Sequence, residues 1–176
     1  VIALVVLAAG ASRRFGSPKQ LAVLDGETLL RRAARVAAAW AARADDRRAF
    51  VVLGAHITDV DLEVVINPHW EEGLATSIHA AVHAAHDAAA LLITLADQPG
   101  VTEDDLERIT RTDAPIVAAA YAGTVGVPAM FHRSQFDALL ALRGDQGAKS
   151  LLVNAVSVEV PKAAWDIDRP QDLKIS

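Results

Sequence analysis

Residues 2–7 read Ile-Ala-Leu-Val-Val-Leu, a run without a polar break, and it stops in Ala8-Ala9-Gly10-Ala11-Ser12. A continuous apolar run closed by a cluster of small residues predicts a buried strand over 2–7. The small side chains after it let a ligand lie close to the backbone, and Gly10 and Gly16 tolerate the positive φ that a curling loop needs. Arg13, Arg14 and Lys19 follow at once. A strand, a small-residue loop with free N–H groups, and then cations make a cradle for phosphate. The loop lacks the Gly-Lys-Ser/Thr ending of a Walker A loop and the three-glycine spacing of the dinucleotide fingerprint. On spacing alone, an ordinary strand-to-helix connection with surface cations stays open.

The rest of the chain limits what that loop can belong to. At 176 residues and 52% hydrophobic, the sequence predicts one domain, residues 1–176, with a sizeable core. The net charge of −5, from 17 basic and 22 acidic side chains, argues against a broad nucleic-acid surface. There is no cysteine, which excludes disulfides and thiolate metal sites. No run is long enough to span a bilayer, and the first apolar stretch has no basic leader of the signal-peptide kind. The expectation is a cytoplasmic protein with no membrane partner.

Strand and helix patterns alternate through the first two-thirds. Apolar positions Leu30, Ala33, Ala34, Ala37 and Trp40 set a helix over 28–42, with Arg31, Arg32 and Arg35 toward solvent. Strands are predicted at 49–53, 64–66, 91–95, 116–121 and 156–160. A helix over 74–85 has the stripe Leu74, Ile78, Ala81, Val82 and Ala85, and Thr102 with Asp105 forms a capping box for a helix ending near Arg111. Gly123, Gly126 and Pro128 read as punctuation, followed by short helices near 135–142 and 148–153 and a helical turn at 170–173. This alternation predicts an α/β fold, a three-layer αβα arrangement around a mostly parallel, Rossmann-like sheet. Ligands of such sheets sit beyond the carboxyl ends of the strands, so the Gly10 loop and Asp97, each directly after a strand, are expected to meet.

Asp97 in Leu-Ala-Asp-Gln-Pro is then placed where a triphosphate would bring Mg²⁺, a cation that takes one or two carboxylates plus phosphate oxygens and water. Asp166 and Asp168, at i and i+2 on an extended segment, point the same way, and one of them could complete the metal site, with Asp166 favoured. Asp172 reads as a cap for the last helical turn. Gly73 permits close backbone approach and Ser77 adds a polar group in the first turns of a helix, though a plain helix start explains both equally. Trp70 reads as a packing anchor rather than a stacking platform. His79 and His83 could share a metal, but no cysteine or nearby acid completes a set, so they and His86 are assigned to a partly solvated helix face.

Leu7, Ala8, Ala9, Gly10, Ser12, Arg14, Gly16 and Lys19 match Leu-Ala-Ala-Gly-x-Ser-x-Arg-x-Gly-x-x-Lys. In this the chain resembles the molybdenum-cofactor nucleotidyltransferases, the MobA-like NTP transferases, and among them the cytidylyltransferases. Leu-Ala-Asp-Gln-Pro resembles the family's metal motif, and the segment from Asp166 to Leu173 resembles its closing motif. The resemblance implies a nucleotide-diphospho-sugar-transferase-like fold and an Mg²⁺-dependent transfer of a nucleoside monophosphate onto a phosphate, with release of pyrophosphate. It implies catalytic roles for Lys19, Arg14 and Asp97. Nucleotide contacts fall to Leu7, Ala8, Ala9, Gly10, Ser12, Lys19, Gly73 and Ser77, and the metal to Asp97 with Asp166 or Asp168. CTP is the expected donor, with GTP second. The expected acceptor is molybdopterin or its molybdenum-loaded form, and a molybdoenzyme would be the recipient. The glycine loops 121–128 and 144–149 resemble the family's acceptor side. There Val127 stands where a His is usual, Lys149 where an Arg is usual, and Phe15 where a Met is usual. Two rival readings follow: a nicotinamide-dependent oxidoreductase on the same scaffold, and a non-catalytic cofactor chaperone.

Overall fold

In the computed structural model, which describes residues 1–11 and 15–174, the first apolar run forms β1 (Ile2–Ala8), buried from its second residue onward. The chain continues with a small hairpin, β2 (Val23–Leu24) and β3 (Glu27–Thr28), then α1 (Leu29–Ala41), β4 (Arg47–Leu53) and β5 (Glu63–Ile66). After these come α2 (Leu74–Ala84), β6 (Ala90–Leu95), α3 (Glu103–Arg111), β7 (Ile116–Tyr121), β8 (Thr124–His132), α4 (Phe136–Leu140) and β9 (Val156–Glu159). Short 3₁₀ turns fill several connections, among them Lys19–Leu21, Trp70–Glu72, Ala148–Asn154 and Pro170–Lys174.

Seven strands make one sheet in the order β5-β4-β1-β6-β8-β7-β9. The pairings β4·β5, β1·β4, β1·β6 and β7·β9 are parallel, and β8 runs antiparallel to both of its neighbours. Period-two alternation in β1 feeds both faces. Ala3, Val5 and Leu7 join Ile78, Ala81 and Val82 of α2 and Leu139 of α4. Leu4, Val6 and Ala8 join Leu30, Ala37 and Trp40 of α1 and Leu106 and Ile109 of α3. This is the expected three-layer fold. No helix among the described residues is long and apolar enough to cross a membrane.

The capping predicted for α3 is present in full: the Thr102 hydroxyl accepts from the Asp105 N–H, and the Asp105 carboxylate accepts from the Thr102 N–H. Three local expectations change. Leu74, predicted in the α2 core stripe, is 41% exposed, and Ala75 and Ser77 are buried instead. Arg32 does not simply face solvent, because its Nε donates to the Pro99 carbonyl at 3.0 Å. The punctuated stretch 123–128 belongs to β8, which lies inside the sheet. The register with β7 shifts between Ala118 and Ala119, opposite Ala129 and Gly126, so Val127 and Pro128 bulge out of the ladder. Proline is tolerated there because a bulged residue owes no ladder hydrogen bond. A Cβ on Gly126 would come within 2.3 Å of the Tyr121 hydroxyl, so a side chain there would displace the Tyr121 ring.

From β1 the chain steps outward through β4 to β5, then returns past β1 to lay β6 on its other side. The strand order therefore reverses between β1 and β6, and the crevice beyond their carboxyl ends is the natural ligand position of such a sheet.

Candidate active site

Two loops leave that crevice. After β1 come Ala9, Gly10 and Ala11; after β6 come Ala96 and Asp97. Lys19 begins the 3₁₀ turn beside them, and its Nζ lies 2.6 Å from Asp97 Oδ2. The two side chains are 24% and 18% exposed, so the pair is largely but not wholly removed from water. The other carboxylate oxygen, Asp97 Oδ1, is buried and accepts no hydrogen bond from any described residue.

The closing segment is stitched to the same point. The Ile167 N–H donates to the Asp97 carbonyl at 2.8 Å, and the Ile167 side chain is fully buried with Leu24 and Leu29. With Ile167 pointing inward, Asp166 and Asp168 project to the opposite side of the extended segment, and Asp168 lines the cleft. Burial against the protein, followed by the negative charge of Asp97, pushes the Asp166 carboxyl up to about 6, against the opposing pull of Lys19. Asp97 and Asp166 are thus two acceptors competing for one positive partner, which a proton or a cation can supply. Below them, Gln98 is buried and donates through Nε2 to the carbonyls of Val127 and Ala163, each at 3.1 Å. It ties the end of β6 to the β8 bulge and to the segment that leads into Asp166. Asp172 accepts from the N–H groups of Asp168 and Arg169 at 3.0 and 2.8 Å, the capping role expected of it.

Lys19, Asp97 and Asp168 border a cleft of about 550 Å³. Of the residues predicted at the site, Leu7, Ala8, Ala9, Gly10, Lys19, Gly73, Ser77, Asp97 and Asp168 line it. Asp166 does not line it, though the charge of Asp97 reaches its carboxyl. Ser12 and Arg14 lie outside the described residues. The far wall is built by the turn before α2. Asn67 is buried and donates to the hydroxyls of Thr76 and Ser77, each at 2.9 Å, while its Oδ1 accepts from the His69 N–H at 2.9 Å. The side chain of Asn67 therefore holds the loop against the helix start and leaves the Ser77 hydroxyl proton available to a ligand. Gly73 has φ +115°, and a Cβ there would lie 2.3 Å from the backbone of Gly144. The Ala75 N–H donates to the Gly144 carbonyl at 3.0 Å. This close approach brings the loop from the second half of the chain onto the cleft.

Sequence reasoning missed several lining residues, Gln20, Trp70, Glu71 and Leu74, and reached Asp145 only as part of the loop that resembles the family's acceptor side. Trp70 does anchor packing, since its Cβ sits where a side chain on Gly54 would be, at 2.6 Å, but it also borders the cleft. The glycines flanking Asp145 marked a loop, and nothing local said which way that loop folds. Val127 packs against the apolar layer under α2, and Lys149 is exposed away from the cleft. His79 bonds the Leu142 carbonyl at 3.0 Å, and His86 the His83 carbonyl at 3.1 Å. Among the described residues no three His, Asp or Glu side chains are grouped to hold a metal unaided.

Comparison with known proteins agrees with this architecture. Residues 4–159 match the family described as the MobA-like NTP transferase domain. A curated relative, nicotine blue oxidoreductase of Paenarthrobacter nicotinovorans, is 32% identical, with 96% of this chain and 93% of the relative covered. Among solved structures, the Rv0371c homologue of Mycobacterium sp. strain JC1 superposes with a TM-score of 0.79 at 29% identity, covering 98% of this chain and 93% of that one. Rv0371c of Mycobacterium tuberculosis H37Rv in complex with manganese gives a TM-score of 0.73 at 29% identity, covering 98% and 96%.

Proposed function

This chain belongs to the MobA-like NTP transferase family, a family of nucleotidyltransferases, and we propose that it moves a nucleoside monophosphate from a nucleoside triphosphate onto an acceptor phosphate with the help of a divalent cation. A phosphate oxygen of the acceptor attacks the α-phosphorus, the bond from that phosphorus to the bridging oxygen breaks, and pyrophosphate leaves. The nucleophile is anionic near neutral pH, so no general base is required, and positioning with charge neutralisation carries the catalysis. Lys19 receives polyphosphate charge at the cleft floor, and the backbone at Ala9 and Gly10 borders the phosphates. The observation that carries this reading is the Lys19–Asp97 pair, set at the reversal of strand order beside a small-residue loop.

The residues present fit a divalent cation. Asp97 Oδ1 is a buried oxygen with no donor among the described residues, Asp166 competes with it for positive charge, and the candidate ligand atoms are carboxylate oxygens, the set that hard cations such as Mg²⁺ take together with phosphate oxygens. Asp97 with Asp166 or Asp168 would hold it, and when bound it supplies neutralisation of the triphosphate charge. A relative's structure with manganese supports a divalent metal; Mg²⁺ is our choice. For the donor we take CTP first and GTP second, and for the acceptor a molybdopterin-type phosphate, both on the motif resemblance. The test is pyrophosphate release with each of the four triphosphates, with and without Mg²⁺, acceptor present. Metal-dependent release with CTP or GTP supports the reading, and no release with any triphosphate removes it.

One observation favours a second reading. The relative at 32% identity is named an oxidoreductase, and the same cleft would then hold a nicotinamide dinucleotide. Tighter binding of NADPH than of CTP or GTP with Mg²⁺ would select it.

A further inference from the structure

Two stretches run past each other beside Asp97. Residues 97–100 follow β6, and residues 162–167 lead into the closing turn. They touch at three points, in opposite chain directions. The Ile167 N–H donates to the Asp97 carbonyl at 2.8 Å. Gln98 Nε2 donates to the Ala163 carbonyl at 3.1 Å. A Cβ on Gly100 would stand 2.4 Å from the Lys162 carbonyl oxygen. Between the first two contacts lie only Ala164, Trp165 and Asp166, and residues 165–167 belong to no helix or strand. No ladder therefore fixes Asp166. Its place depends on the ties on either side of it, and one of those is the side chain of Gln98.

Gln98 is 6% exposed and does not line the cleft, so it is set to hold rather than to touch a ligand. Its amide nitrogen donates to the Ala163 and Val127 carbonyls, each at 3.1 Å. Carbonyls only accept, so the end of the amide that faces both is the donor end, and its two hydrogens are spent there. Val127 lies at the bulge of β8, within the sheet. The side chain thus ties the irregular segment before Asp166 to the sheet. Charge works against that arrangement, because the negative charge of Asp97 opposes a second carboxylate at Asp166. A loose segment would let the two acids part. A tied one keeps them close enough for a divalent cation to gain from both. Resting on the metal-dependent nucleotidyltransferase reading above, we propose that Gln98 is a positioning residue that holds Asp166 near Asp97 in the free protein, so that the acid pair is arranged for a divalent cation before a triphosphate arrives.

The test is Mn²⁺ binding to the nucleotide-free protein, read as free Mn²⁺ by electron paramagnetic resonance. Gln98→Met keeps the length of the side chain and loses its donors. Gln98→Asn keeps an amide but is one methylene shorter, too short to span both carbonyls, and carries the test where Gln98→Met does not fold. Mn²⁺ affinity is expected to fall about tenfold, the scale on which groups that orient a metal ligand act. In an Asp166→Asn background the same substitution should change affinity by less than about twofold, because Gln98 acts through Asp166. Glu107→Gln, which loses stability at an ion pair away from the cleft, should keep wild-type Mn²⁺ affinity. In turnover the half-saturating metal concentration should rise while kcat at saturating metal changes little; a merely structural role would lower Tm and the active fraction and leave half-saturation where it was. Unchanged Mn²⁺ affinity in a folded Gln98 variant, an equal loss in the Asp166→Asn background, no Mn²⁺ binding by wild type, or failure of both variants to fold overturns the proposal, while metal-dependent pyrophosphate release by wild type leaves the nucleotidyltransferase reading standing. If wild type releases no pyrophosphate with any triphosphate, that reading fails and takes this proposal with it.

Discussion

Lys19 and Asp97, 78 positions apart in the chain, meet at 2.6 Å across the carboxyl ends of β1 and β6. The contact neutralises one oxygen of Asp97 and leaves the other buried without a donor among the described residues. On the proposed reading, the lysine turns to a polyphosphate and the carboxylate to a cation. Replacing Asp97 with Ala is expected to reduce pyrophosphate release by at least about a hundredfold, the scale of a lost charge-stabilising group. The fold should persist, because Lys19 keeps contact with water once its partner is removed. Full turnover in that variant would remove Asp97 from the mechanism.

Gly73 carries the contact between the two halves of the cleft. Ala in its place must adopt a positive φ and push the Gly144 backbone aside. Gly73→Ala should cost about 1–3 kcal/mol by urea denaturation, and should weaken nucleotide binding more than Gly10→Ala, where added bulk meets nothing within 4 Å. Equal effects at the two glycines would contradict the docking of the second loop.

Asn67 satisfies two hydroxyls and one backbone N–H from inside the protein. Asn67→Ala leaves those groups to find water, at a cost of about 2–3 kcal/mol, and releases the turn that carries Trp70 and Glu71. Steady-state kinetics should show KM for the triphosphate rising more than kcat falls. An unchanged KM would mean that the turn does not touch nucleotide.

Glu107 gives the fold a defined acid limb. Arg47 holds its carboxylate at 2.6 and 3.0 Å and stacks over Trp40, and Arg111 adds a bond at 2.7 Å. The Arg47 hydrogen bonds first, and Arg111 after them, hold its pKa down to about 2, against 4.5 for a free side chain. As pH falls, the unfolded chain binds this proton before the folded one does. The stabilisation is therefore complete above about pH 4.5 and disappears as pH drops through 2. Glu107→Gln should lose about 2 kcal/mol at pH 7, lowering Tm by roughly 4–8 °C in a chain of this size. The gap between wild type and variant should close as both are melted at successively lower pH. A gap that stays constant with pH would show that packing, not charge, holds Glu107.

Much of the architecture was readable one residue at a time. The apolar run of β1, its ending in small residues, the stripe of α1 and the box at Thr102 and Asp105 are local patterns, and local patterns follow backbone geometry. Asp97 was legible as a ligand-edge residue because it directly follows a strand, and Asp172 because a carboxylate before a turn finds N–H groups. Leu74 was not, because whether an exposed side chain faces bulk water or a cleft depends on a loop arriving from far along the chain.

The sequence alone determined an α/β sheet, a loop of small residues after its first strand, and a pair of acids in the closing segment, since each rests on spacing within a few residues. Only the tertiary structure decided that β8 inserts antiparallel between β6 and β7 despite Gly126 and Pro128. Only it brought Asp166 against Asp97 and the loop at Gly144 onto Gly73, beside the cleft that Lys19 lines. Those are contacts between distant segments. Their energies come from packing and shared charge that no local periodicity records.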